Sequence, residues 1–137
     1  ALYGAWLCGS VLGSVGMALH HKLCHTLGGS FNLPHAEVHA VVLPHAIAFN
    51  TEAAPRAMER IARALGTLSA AQGLFEFAKT NGAPVALKDI GMRAVDLDRA
   101  ADLAVSNPYW NPRLIGPAQR DAIRALLQRA WDGDPPA

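Results

Sequence analysis

The chain has 137 residues, 51% of them hydrophobic and 17% charged, with 12 basic against 11 acidic side chains and a net charge of +1. That length is one domain's worth and is enough to bury a real core. The near-neutral balance, with Lys and Arg scattered rather than grouped, excludes nucleic acid and anionic membrane surfaces as partners chosen by charge, and so apolar a composition points to a module that packs against something larger.

From Ala1 to Leu19 no residue is charged. Such a run is long enough to cross a bilayer, and Gly9 and Gly13 have the spacing of a close helix contact. Against a span, Gly and Ser fill six of the nineteen positions, and the run passes straight into His20, His21 and Lys22. No membrane partner is expected. The stretch from Ala1 to about Leu27 reads as one long helix buried in a helical domain and stopped by Gly28 and Gly29. Its abrupt apolar start, with no initiator Met, leads us to expect further residues upstream. Cys8 and Cys24 do not make a disulfide framework. They read as buried free thiols, in keeping with a reducing, cytoplasmic setting.

A loop, GGSFNL, leads to Pro34 and a second helix running to about Asn50, with Pro44 expected to kink it. Thr51 is placed to cap a third helix that reaches Gly66, with Met58, Ile61, Ala62 and Leu65 on one face and Arg56, Glu59, Arg60 and Arg63 on another. Ser69 caps the next, which ends at Asn81-Gly82. A connector follows, and Asp96 or Asp98 starts a short helix. The segment NPYWNPRLIGP, with three prolines, must be irregular. Gln119 to Trp131 forms a last amphipathic helix on Ile123, Leu126 and Leu127, and DGDPPA reads as a frayed tail. Trp6, Phe49, Phe75 and Phe77 are expected in the core. Tyr109 and Trp110 should pin the irregular connector, Asn107 and Asn111 serve turns, and Arg113 pair at the surface. The fold class is therefore all-α, a bundle-like domain of about six helices. GSVLGSVG lacks the order and the preceding strand of a dinucleotide loop, so the chain carries no nucleotide-binding fold of its own.

All six histidines lie between His20 and His45. His21 and His25 are four residues apart and share a helix face, and His35 and His39 repeat that spacing on the next helix. A short Gly-containing turn joins the two helices, which should return antiparallel and adjacent. Imidazoles so placed suit a divalent metal or acid-base chemistry; hydrogen-bonded core histidines are the plainer alternative for any one of them. The nearest carboxylate, Glu37, points about 100° per residue away from His35 and His39.

The stretch ALHHKLCHTLGGSFNLPHAEVHAVVLPHAIAFN resembles the central signature of the iron-containing alcohol dehydrogenase family: two histidines four apart, a Gly-containing loop, Pro-His, and an apolar helix with Leu-Pro-His. LYGAWLCGSVLGSVGMALHHKLCHTLGG and NPYWNPRLI make it most similar to the branch of that family that reduces maleylacetate. The resemblance implies a two-domain fold like that of dehydroquinate synthase, of which residues 1–137 are the C-terminal helical domain. The N-terminal nucleotide-binding domain lies outside this chain and is its implied partner. His21 and His35 correspond to two family metal ligands, for iron or zinc, while the remaining Asp and His ligands would lie upstream. His25 corresponds to a histidine beside the nicotinamide and the substrate. His39 falls where dehydrogenases of the family often carry Asn, and His45 ends the Leu-Pro-His element.

The implied reaction uses NADH or NADPH to reduce the carbon-carbon double bond of a small dicarboxylate, maleylacetate, yielding 3-oxoadipate in the breakdown of aromatic compounds. His25 is the expected proton donor. His20 and Lys22 are candidate cationic partners for the carboxylates. In a metal-free version of the enzyme the histidines would bind the substrate directly. A cytoplasmic homodimer is expected, since an apolar first helix suits a subunit interface. The alternatives are a metal-dependent dehydrogenase acting on a simple alcohol or aldehyde, and a helical metal-binding or interaction module without catalysis.

Overall fold

A helix that is apolar on several faces belongs at the centre of a fold, and HAEVHAVVLPHAIAFN is such a helix. In the computed structural model, which describes residues 2–137, it forms α3 (His35–Asn50) and buries Val38, Val41, Val42, Pro44, His45, Ala46, Phe49 and Asn50. Around it stand α2 (Leu19–Phe31), α5 (Ala70–Thr80) and α7 (Arg120–Asp132). An outer shell is completed by α4 (Pro55–Leu65) on α5 and α6 (Leu97–Ser106) between α2 and α7. Short 3-10 turns cover Leu87–Ile90, Ala94–Asp96 and Pro117–Gln119. Among the described residues there is no strand, so the all-α architecture stands as expected.

The packing follows from residue spacing. Leu19, Leu23 and Leu27 recur every fourth position on α2, and each is wholly buried. Burying each such leucine stabilises the fold by about 1.5–3 kcal/mol. Ala100, Ala101 and Ala104 leave α6 without bulk, so Ile123, Leu127 and Ala130 of α7 come close, and all six are fully buried. Across the outside of that pair, Arg120 bonds Asp98 at 3.0 Å and Asp102 at 2.8 Å, and Arg124 reaches Asp98 at 3.3 Å. Exposed pairs contribute little one by one; their effect here is to fix the register of α7 on α6.

The largest departure from expectation is at the beginning. The single long helix is two helices, α1 (Leu2–Ser14) and α2, meeting at a 91° bend; its expected start at Ala1 lies outside the described residues. No residue of α1 is buried. Trp6 (63% exposed), Leu2, Tyr3, Val11 and the Cys8 thiol face outward, against the expected burial. No single helix among the described residues is long and apolar enough to cross a membrane.

Smaller corrections have local causes. Helix α2 does not stop at Gly28-Gly29 but runs to Phe31, where Asn32 turns the chain with φ 53°; Asn tolerates the left-handed region better than other residues with a side chain. Thr51 closes α3 instead of capping α4, its hydroxyl donating to the Ile47 carbonyl at 3.0 Å, and Pro55 opens α4 as its first residue. Asp96 precedes α6 without capping it, because Arg93 holds its carboxylate at 2.7 Å. The tail is docked: Pro136 is buried, and its carbonyl accepts from Gln72 Nε2 at 2.7 Å. Phe49 and Phe75 are in the core as expected, whereas Phe77 lies on the exposed side of α5.

One polar contact sets the position of α2. Asn111 Oδ1 accepts from the Leu19 backbone N–H at 3.2 Å and from Asn50 Nδ2 at 3.0 Å, and Asn111 Nδ2 donates to Asn50 Oδ1 at 2.6 Å and to the Arg113 carbonyl. This buried amide pair ties the irregular segment, the start of α2 and the end of α3 together. Asn111 therefore does much more than serve a turn, and Arg113 lies over the Phe49 ring at 4.2 Å instead of pairing with a carboxylate.

Candidate active site

Helices α2 and α3 run side by side, and one side of that hairpin collects five of the six histidines. Spacing does the first part of the work: His21 and His25 project from one face of α2, His35 and His39 from one face of α3. The short Asn32-Leu33-Pro34 connection then brings the two faces opposite each other. His39 is the centre. Its ring lies 4.4 Å from that of His35, 4.8 Å from His20 and 5.0 Å from His21, centroid to centroid. His25 stacks on His35 at 6.2 Å and stands 6.0 Å from His21. His35 and His39 share a hydrogen bond between their Nε2 atoms at 3.1 Å, so one ring donates and the other accepts.

The five rings differ in exposure. His25 and His35 are exposed, His21 and His39 are half-buried, and His20 turns inward between the helices. His20 Nε2 sits 3.2 Å from the His39 carbonyl. Burial pushes the His20 pKa down to about 4; the bond to that carbonyl opposes the fall, and the nearby His39 and His21 rings add to it. His20 is therefore neutral at physiological pH and cannot be the cationic partner expected from its place beside His21. His21 is also held below its ordinary pKa, by desolvation first and then by His25 and His35. His39 is lowered likewise, by desolvation and then by His35, His21 and His25. Crowded imidazoles disfavour each other's charged form, which keeps lone pairs free for a proton or a metal.

Two further side chains reach this cluster. Tyr109, from the proline-rich segment, puts its hydroxyl 3.0 Å from His25 Nδ1, while its ring lies beneath the Lys22 ammonium at 5.6 Å. Lys22 is half-buried there, a cation held close to the histidines. Trp110, expected to pin the segment with Tyr109, is 74% exposed and does not. Cys24, one turn after His20, is fully buried, and burial raises its thiol pKa to about 12. Donor atoms of His20, Cys24 and His39 lie within 4.8 Å of one another.

Of the residues singled out from sequence, His20, His21, Lys22, His25, His35 and His39 are brought together. His45 is not: it is buried far along α3 among α7 residues, including Arg129. Sequence reasoning missed Tyr109 as a site residue, and its only local signal was an aromatic flanked by two Asn-Pro-type breaks. The donor set fits a first-row divalent metal in part, since this chain offers imidazoles at His21 and His35 and no carboxylate within the histidine group.

Residues 1–131 match the family model described as Fe-containing alcohol dehydrogenase family, C-terminal. The chain is 63% identical over all its residues to a maleylacetate reductase of Burkholderia cepacia, covering 38% of that protein. It is 63% identical over 99% of its residues to a maleylacetate reductase of Pseudomonas sp. (strain P51), again covering 38% of the relative. In three dimensions it superposes on the crystal structure of maleylacetate reductase from Agrobacterium tumefaciens with a TM-score of 0.92 and 59% identity, over 98% of this chain and 37% of that one. The chain thus spans under two fifths of the length of the relatives it matches.

Proposed function

This chain belongs to the Fe-containing alcohol dehydrogenase family, and from that premise we propose that it is the C-terminal helical domain of a maleylacetate reductase, an oxidoreductase of aromatic-compound breakdown. The observation that carries the reading is the convergence of five imidazoles, one cation and one phenol along one side of the α2–α3 hairpin, in a chain whose relatives at 63% identity bear that name.

The partner domain, supplied by the part of the relatives that this chain does not cover, binds NADH or NADPH. The bare apolar surface of α1, from Leu2 to Leu12, is where the remainder of the protein or a second subunit of a cytoplasmic homodimer seats. The cofactor supplies the hydride, and an iron or zinc ion held partly by His21 and His35 would supply an electrophile for a substrate oxygen. This chain's own residues do the rest. Lys22 offers the positive charge that a substrate carboxylate needs on entering a half-buried site. Its place over the Tyr109 ring limits where that charge can go. His25 is exposed, with Nδ1 engaged by Tyr109, which leaves Nε2 for the substrate. Hydride arrival at one alkene carbon leaves an enolate, and a proton from His25 Nε2 neutralises its carbon end. His20 serves as a neutral spacer that fixes the His39 backbone, not as a cation.

The test is maleylacetate-dependent oxidation of NADH by the protein in its full-length context. His25→Ala should lower kcat by about tenfold or more, as removal of a general acid does. An unchanged kcat would remove the proton-donor role, and no turnover of maleylacetate by the unaltered protein would remove the reading altogether.

A further inference from the structure

The ligand pair that the family resemblance marks, His21 and His35, is made of nitrogen donors alone. A different trio stands beside it. His20 and Cys24 lie one helical turn apart on α2 and face α3, where His39 completes a triangle whose donor atoms are all within 4.8 Å of each other. We propose that His20, Cys24 and His39 form a second metal site, selective for a thiophilic ion such as Zn(II), Co(II) or Cu(I), separate from the His21–His35 pair.

The chemistry of the donors decides the class of ion. Two imidazoles and one thiolate make a soft set that hard, oxygen-seeking ions avoid and zinc or cuprous copper prefers. The surroundings suit it as well. Leu23, Leu27, Val38 and Val42 are all fully buried on the same two helices, and Cys24 itself is inaccessible to solvent, so the sulfur side of the site is dry, while the fourth coordination position falls to a water on the side of the partly exposed His20 and His39. The hydrogen bond from the His20 ring to the His39 carbonyl at 3.2 Å gives the site the kind of outer partner that metal-bound imidazoles ordinarily have. Donor atoms of a tetrahedral zinc site lie about 3.3–3.8 Å apart for bonds of the usual length, so the triangle, with its donor atoms within 4.8 Å of one another, has to contract on an ion, and His20 and His39, which are only partly buried, are the side chains free to do so. Binding forms one metal–sulfur bond, and the thiol proton leaves to solvent. His39 also bonds His35 and faces His21, so an ion in the trio holds two neighbours of the candidate catalytic imidazoles in place.

Cobalt titration of the full chain tests this without reference to turnover. Co(II) bound by Cys24 gives a thiolate-to-metal charge-transfer band in the near ultraviolet, which an all-nitrogen site at His21 and His35 cannot give. The band should rise to one equivalent, persist in Cys8→Ala and His21→Asn, and vanish in Cys24→Ala and in His39→Asn. His39→Asn keeps the thiol and tests the same geometry if Cys24→Ala fails to fold, as judged by circular dichroism. No band in the unaltered chain, a band that survives both Cys24→Ala and His39→Asn, or one lost with Cys8 or His21, would overturn the proposal. None of these results depends on the maleylacetate reading.

Discussion

Replacing His45 with Leu should make the fold markedly less sensitive to acid. His45 is 2% exposed, and its Nε2 has no hydrogen-bond partner among the described residues. Desolvation, then the positive charge of Arg129, push its pKa from 6.5 down to about 4, with Asp134 opposing. The unfolded chain therefore takes up this proton near pH 6.5 while the folded chain resists it until about pH 4. Across that window the unfolded state binds more protons. The stability is present in full above 6.5 and is lost progressively as the pH falls. A fall from 6.5 to about 4 corresponds to a contribution on the order of 3 kcal/mol, at about 1.4 kcal/mol per pH unit. Urea unfolding at pH 7 and at pH 4, for the unaltered chain and for His45→Leu, measures it. At pH 7 the two should lie within about 1.5 kcal/mol of each other, because a shape change is offset by removal of an unpaired buried nitrogen. Between pH 7 and 4 the variant should lose about 2–3 kcal/mol less than the unaltered chain. Equal losses in both would show that His45 is hydrated or bonded in the folded state and would refute the argument.

Asn111→Ala should destabilise the chain by about 2–4 kcal/mol in denaturant unfolding, since it orphans the Asn50 amide and the Leu19 backbone N–H in a buried position; a change below about 1 kcal/mol would mean that the amide pair is not what holds the start of α2. Tyr109→Phe removes the hydroxyl 3.0 Å from His25 Nδ1, and kcat for maleylacetate should fall about three- to tenfold with KM little changed, because an oriented base or acid loses its orienting partner. A rise in KM at constant kcat would instead assign Tyr109 to binding.

The helical class, most helix boundaries and the pairing of the two histidine helices were legible in the sequence, because they depend on near neighbours along the chain. An i,i+4 repeat fixes a shared face whatever lies around it, and a short connection returns the next helix alongside, although Asn32-Leu33-Pro34 makes that turn and not the Gly pair from which it was expected. His21, His25, His35 and His39 could therefore be placed together from spacing alone. The 91° bend that frees α1 was not legible. Gly16 permits a turn at that point, but so did Gly28 and Gly29, which stay helical; the choice rests on where neighbours pack. Likewise Asn111 and Tyr109 reach α2 across 92 and 84 residues, and no local pattern records such a contact. Burial decided the rest. His20 follows from sequence as one more imidazole beside a candidate ligand, but only the closeness of α3 makes it neutral. The charge a titratable group carries depends on the water it loses, and that is a property of the packed chain as a whole.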